Sequence, residues 1–113
     1  MTKQNIDNLC NILENIKEQA RNESLRLTQH GQQEMAKEEV KLSDLFEAIV
    51  TSEILENYPE HQRGSCCLIC GTTKNGKNLH MVCTTSLTTL IVITVYIPKP
   101  PKWVTPTQRR KIQ

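Results

Sequence analysis

His80, Tyr96 and a set of cations are the residues of this chain whose types could move protons or hold phosphate. An imidazole titrates near neutrality, so His80 can act as general acid or base. A histidine in a strand can equally be structural, hydrogen-bonded beneath a helix. His30 offers a second imidazole for proton transfer, or a residue that caps and packs at the start of a helix. The Tyr96 phenol can hydrogen-bond a phosphate or stack on a base, and a tyrosine at a sheet end also packs with a wet tip. Arg63 and the Arg109-Arg110-Lys111 cluster are candidates for phosphate oxygens, set against the plainer reading of solvated surface charge. His61 falls in a turn and carries no assigned role. No Gly-rich phosphate loop, nucleophile elbow or metalloprotease helix is present in the sequence.

The cysteines invite a second chemistry. Cys67-Leu-Ile-Cys70 and His80-Met-Val-Cys83 have the spacing of a zinc site. A two-residue loop at Asn75-Gly76 makes Cys70 face Met81, Leu68 face Cys83 and Gly71 face His80. On that register Cys66, Cys70 and Cys83 share one face of the hairpin, and Cys67 and His80 the other. Tetrahedral zinc cannot gather ligands divided by a sheet, so neither metal nor cofactor is expected. The thiols then read as small buried hydrophobes. Gly71 opposite His80 would leave room for something to approach the ring. Five cysteines, with no apolar export segment at the N-terminus, point to free thiols in a reducing cytoplasm.

Charge is segregated along the chain. Residues 1–60 hold all 12 Asp+Glu and 6 of the Lys/Arg, whereas residues 61–113 hold 8 Lys/Arg and no acid, although the whole sums to only +2. The second half therefore excludes carboxylate-only acid–base chemistry and a carboxylate metal cage within itself, and it can present a positive surface to phosphate. The longest apolar run, Leu87 to Ile97, is interrupted by threonines and far short of the roughly 20 residues of a membrane span. It reads as a strand.

The elements that must position these groups follow from periodicity. Ile6, Leu9, Cys10, Leu13, Ile16 and Ala20 recur at helical spacing over 5–22 and form one apolar stripe. Thr28 is placed to cap a second helix through Met35 and Ala36 to Glu39, and Ser43 a third that ends near Thr51. That third helix offers Leu45, Phe46, Ala48 and Ile49 for burial. From Glu53 the pattern turns to strands over Glu53–Tyr58, Ser65–Thr73, Asn78–Thr85 and Leu90–Ile97, with Asn75-Gly76 as the hairpin signal. On alternation Tyr96 shares a face with Thr94 and Val92. The tail beyond Pro98 is proline-rich and then basic, with Trp103 its only large anchor. The expected class is α+β: N-terminal helices packed on a small antiparallel sheet of about four strands.

Taken in order, a set of residues resembles a bacterial family of small proteins, the domain of unknown function four-two-five-eight. The set begins with Leu27-Thr28-Gln29-His30, Met35 and Leu42-Ser43-Asp44, and continues with Glu53 to Pro59, Arg63-Gly64, Gly71 and Gly76. It ends with Leu79-His80, Val92 to Tyr96, Pro98, Lys102-Trp103 and Arg109-Arg110, so the resemblance spans about 25 to 110. It implies a RelE/ParE-like fold, that of the toxins of bacterial toxin–antitoxin pairs. It also implies a cognate antitoxin as partner, often of zinc-finger and helix-turn-helix type, and RNA as target. The family usually carries arginines after its helix histidine; here Glu34 and Glu38 stand there, which moves the work to His80, Tyr96 and the basic tail.

The expected organisation is an amphipathic helix over 1–24, a toxin-like α+β domain over 25–104 and a basic tail over 105–113. The expected function is that of a cytoplasmic, toxin-like, metal-independent endoribonuclease. His80 or His30 would transfer protons, Tyr96 would donate a hydrogen bond or stack, and Arg63, Arg109, Arg110 and Lys111 would clamp phosphate. The alternatives are a non-catalytic module that binds protein or RNA, and a thiol protein built on Cys66, Cys70 and Cys83.

Overall fold

The computed structural model describes residues 3–62, 64–100 and 102–109. Three helices, α1 (Lys3–Arg21), α2 (Gln29–Lys37) and α3 (Leu42–Val50), precede most of the strands. Five strands form one sheet in the order β1-β5-β4-β3-β2, comprising β1 (Leu25–Leu27), β2 (Glu53–Tyr58), β3 (Cys66–Thr72), β4 (Asn78–Thr84) and β5 (Leu90–Tyr96). A separate two-stranded hairpin, β6 (Trp103–Thr105) and β7 (Gln108–Arg109), closes the described chain. The class is α+β as expected, but the sheet is mixed, because β1 runs parallel to β5. Three residues are too short to show strand periodicity, and their partner lies 65 positions away, as in Leu25↔Leu90. None of the described helices is long and apolar enough to cross a membrane.

The helices cover one face of the sheet. Ile16 and Ala20 of α1, Met35 of α2, and Leu45, Ala48 and Ile49 of α3 join Cys67, Ile69, Leu79, Met81, Cys83, Val92 and Val95 in one core. The side chain of Ile6 lies outside the described ones. Thr28 caps α2 as expected: its Oγ1 accepts the Gly31 N–H at 3.0 Å and donates to the Ile93 carbonyl at 2.7 Å. This one hydroxyl satisfies a helix end and pins it to β5. The cap of α3 falls two residues before the expected Ser43. Lys41 holds that position, and its N–H donates to the Asp44 carboxylate at 3.0 Å. Asp44 thereby answers one of the orphan groups of the helix start.

Gly71 sets how closely α3 approaches β3. A Cβ there would lie 1.7 Å from the Ala48 carbonyl oxygen, so any side chain would have to push the helix off the sheet. The far end of α3 is fixed by Thr51, whose Oγ1 both accepts from Thr72 N and donates to Thr72 O at 2.9 Å. Gly71 therefore faces Leu79 and the helix, not His80, and the space expected beside the imidazole does not exist.

That correction comes from the β3–β4 loop. Thr73 N donates to Lys77 O at 2.9 Å and Gly76 N to Thr73 O at 3.0 Å, with Gly76 at φ +84°. This is a three-residue loop, a turn followed by a left-handed glycine, and it moves the register by one from the two-residue reading. Cys70 now pairs with His80 and Cys67 with Cys83. Two bulges reset other faces. Leu55 is extra in β2, between the pairs Ile54↔Ile69 and Glu56↔Leu68. Ile93 is extra in β5, between Cys83↔Val92 and Val82↔Thr94. Val92 consequently turns into the core, away from Thr94 and Tyr96, against the expectation from alternation.

Candidate active site

The face of the sheet opposite the helices carries His80, flanked by Cys70 on β3 and Tyr96 on β5 as its direct cross-strand partners. Partners across a ladder present side chains on the same face, which is why the three meet. His80 has no solvent exposure. Its Nδ1 lies 3.0 Å from the Tyr96 hydroxyl and its Nε2 2.5 Å from the Pro106 carbonyl oxygen. A carbonyl can only accept, so Nε2 carries the proton and donates to Pro106. Burial, the largest influence, holds the imidazole below its ordinary pKa and favours the neutral ring. Nδ1 of that ring is then an acceptor, and the Tyr96 O–H donates to it.

The C-terminal hairpin lies over this pair. Trp103 is buried, with its indole edge-on to the His80 ring at a centroid separation of 4.3 Å. Arg109 stacks over the indole, its guanidinium carbon 4.8 Å from the ring centroid. The same guanidinium donates from Nε and a terminal nitrogen to the two Glu56 oxygens, at 2.9 and 2.8 Å. Such a fork is the strong geometry for an arginine–carboxylate pair. The Tyr58 hydroxyl donates to Glu56 as well, and burial and this bond push the phenol up to about 12. Glu56 itself is lowered, first by the Arg109 hydrogen bond. The Tyr96 phenol is raised, chiefly by burial.

Of the residues expected to do chemistry, the fold brings His80, Tyr96 and Arg109 into one cluster. His30 stands exposed in the first turn of α2 and takes no part in the ring contacts and hydrogen bonds around His80. Arg63, Arg110 and Lys111 lie outside the described residues. Glu56, Tyr58, Trp103 and Pro106 are the members that sequence reasoning left out of the site. The signal for the first two was there: Glu56 and Tyr58 stand two apart on one strand, the spacing that shares a face. Nothing local in the sequence says that a carbonyl 26 positions from His80 will accept its proton.

Two cations of the basic half meet carboxylates of the acidic half in the fold. Arg109 is paired with Glu56, and Lys99 lies 3.5 Å from Glu38. Each pair joins the basic half to the acidic half, and β2 brings Glu53 and Glu56 into the sheet. Glu38 is one of the two glutamates standing where arginines were expected, and it faces the root of the tail.

The cysteine faces also change. Cys67 and Cys83 oppose each other on the helix side, whereas Cys66 and Cys70 share the His80 face. Cys66, Cys70 and Cys83 therefore form no cluster. The nominal zinc ligands remain divided two and two, and no group of three His, Cys, Asp or Glu side chains among the described residues is placed to hold a metal. Burial raises Cys67 to about 12 and Cys83 well above the ordinary thiol value. Buried thiols of this kind are poor nucleophiles.

No curated protein and no solved structure matches the chain. A family model described as "Domain of unknown function (DUF4258)" matches residues 27–97, a span that runs from the end of β1 to just past β5. It includes His80 and Tyr96 and stops before the hairpin that covers them, short of the 25–110 span of the resemblance. With well over half of its length matched, the chain belongs to the DUF4258 family.

Proposed function

We propose that this chain is a toxin-like, metal-independent endoribonuclease of the RelE/ParE-like kind, working beside a cognate antitoxin in a bacterial cell. The observation that carries the reading is the convergence of His80, Tyr96 and Arg109, from two strands and the tail, on one face of the sheet. Cleavage of RNA without metal needs a base for the 2′-hydroxyl, an acid for the 5′-oxygen and a cation for the phosphorane charge. Tyr96 is the more accessible partner of the pair. Its oxygen can take a proton from the 2′-hydroxyl while its own O–H proton passes to Nδ1 of His80. The 2′-oxygen then bonds to phosphorus as the 5′-oxygen leaves, giving a cyclic phosphate and a 5′-hydroxyl, and His80 returns the proton to the leaving oxygen through the same phenol. Arg109 supplies the cation once it exchanges Glu56 for phosphate.

The test is RNA incubated with the pure chain in EDTA, with and without ribosomes. Cleavage that is lost in both His80→Gln and Tyr96→Phe supports the reading, and RNA left intact under both conditions overturns it. A second reading, a non-catalytic module for RNA or protein, is favoured by one observation: both His80 nitrogens and the Arg109 fork are already engaged within the chain. Salt-sensitive RNA binding with no cleavage would decide for it.

A further inference from the structure

The β6–β7 hairpin shares no ladder with the five-stranded sheet; its two strands pair only with each other. Among the described residues, its contacts with the His80 face include the Trp103 indole against the His80 ring, the Pro106 carbonyl on His80 Nε2, and the Arg109 fork on Glu56. Only the last is an ion pair, and its partners are 40% and 28% exposed, so water and salt can compete for it. The Trp103 Nε1 is buried and makes no hydrogen bond of ordinary geometry, although it lies close enough to the Tyr96 phenol to lower it. At its root the segment is held by Trp103 N donating to Lys99 O at 3.2 Å and by the Lys99–Glu38 pair.

We propose that the Trp103–Arg109 hairpin is a strap that masks the His80–Tyr96 pair, with the Glu56–Arg109 ion pair as its latch. The strap opens as a unit while the five-stranded sheet stays folded, because no backbone bond of the sheet is broken in opening. The functional consequence rests on the reading of His80 and Tyr96 as an acid–base centre: closed, His80 is buried and Arg109 is held on Glu56; open, the pair faces solvent and Arg109 is released to meet a phosphodiester.

Native-state amide exchange on the full chain tests the strap without reference to activity. The Trp103 amide and the β6–β7 amides should exchange through a local opening, faster than those of β3, β4 and β5. Glu56→Lys should speed hairpin exchange by about fivefold, the factor equivalent to ~1 kcal/mol at the top of the range for exposed ion pairs. Exchange in the sheet should not change. The charge swap Glu56→Lys with Arg109→Glu should restore protection, and Arg109→Gln should reproduce the opening if Glu56→Lys folds poorly. Hairpin and sheet amides that exchange together in the wild-type chain and in Arg109→Gln would overturn the strap. RNA incubation separates the two claims: a strap opened by Glu56→Lys, which keeps Arg109, with RNA left intact removes the catalytic reading and leaves the strap standing, whereas faster cleavage by Glu56→Lys supports both.

Discussion

Ile54 and Glu56, two residues apart on β2, lie on opposite faces of the sheet. Leu55 is the extra residue of a bulge, so Ile54 pairs with Ile69 and packs on the core while Glu56 pairs with Leu68. Without the bulge, alternation would send the Glu56 carboxylate under the helices. With it, the carboxylate emerges beside His80 and holds Arg109. The site thus depends on a local irregularity in a strand that contributes neither of the proposed proton-transfer groups.

The hydrogen bond from Tyr96 to His80 Nδ1 can be removed alone. Tyr96→Phe keeps the ring and leaves a buried acceptor unpaired, a change that costs about 1–3 kcal/mol. Urea unfolding should show a lower midpoint with an unchanged slope. A midpoint equal to that of the wild type would mean that the bond adds nothing to stability.

Two glycines should respond very differently to alanine. Gly71→Ala places a Cβ 1.7 Å from a backbone oxygen of α3, and no rotamer relieves a backbone clash. The loss should reach about 3 kcal/mol or more, the upper end for overpacking. Gly76→Ala meets nothing within 4 Å but keeps a φ of +84°, so about 1 kcal/mol is expected. Thermal unfolding of the two variants gives the order directly, and equal shifts would contradict the close approach of α3 to β3.

Stability should fall in mild acid. His80 is held below its ordinary value of 6.5, first by burial, so the unfolded chain takes up a proton there that the folded chain refuses. The contribution of the neutral ring is complete above that ordinary value and is lost as pH falls below it. The slope from this one group cannot exceed about 1.4 kcal/mol per pH unit. Glu56 adds a second loss at lower pH: its value is depressed below 4.5, chiefly by the Arg109 hydrogen bond, so its stabilisation is present above 4.5 and disappears as pH falls through the depressed value. Denaturation midpoints taken from pH 7.5 down to 5.5 should decline in the wild type and flatten in His80→Gln.

Thiol chemistry should count one residue in the native state. Cys10 is exposed, whereas Cys66, Cys67, Cys70 and Cys83 are buried. An aromatic disulfide reagent should label one thiol per chain quickly at neutral pH and all five after unfolding. Rapid labelling of a second thiol would place one of the strand cysteines at the surface, most informatively Cys70, since it shares the His80 face.

The three helices, strands β2 to β5 and the position of the β3–β4 turn were legible in the sequence, because each is set by residues a few positions apart; β1, β6, β7 and the length of that turn were not. The apolar repeat of α1, the cap at Thr28, the Asn-Gly signal and the β-branched run of β5 state local preferences that the fold keeps. His80 and Tyr96 were legible as candidates by chemical type alone. The zinc spacing was legible too and was misleading in its detail, since an error of one residue in the loop reassigns every β3 partner of β4.

By itself, then, the sequence determined the three helices, strands β2 to β5, and which side chains carry protons or positive charge. Tertiary structure decided who meets whom. A three-residue loop set His80 across from Cys70, the bulges at Leu55 and Ile93 turned Glu56 outward and Val92 inward, and the tail folded back to place Trp103, Pro106 and Arg109 over the imidazole. Bulges and registers are chosen by the best simultaneous burial of many distant side chains, and no local window of residues contains that sum. The same physics joined the two halves of a chain divided by charge, pairing Lys99 and Arg109 of the tail with carboxylates far back in the sequence.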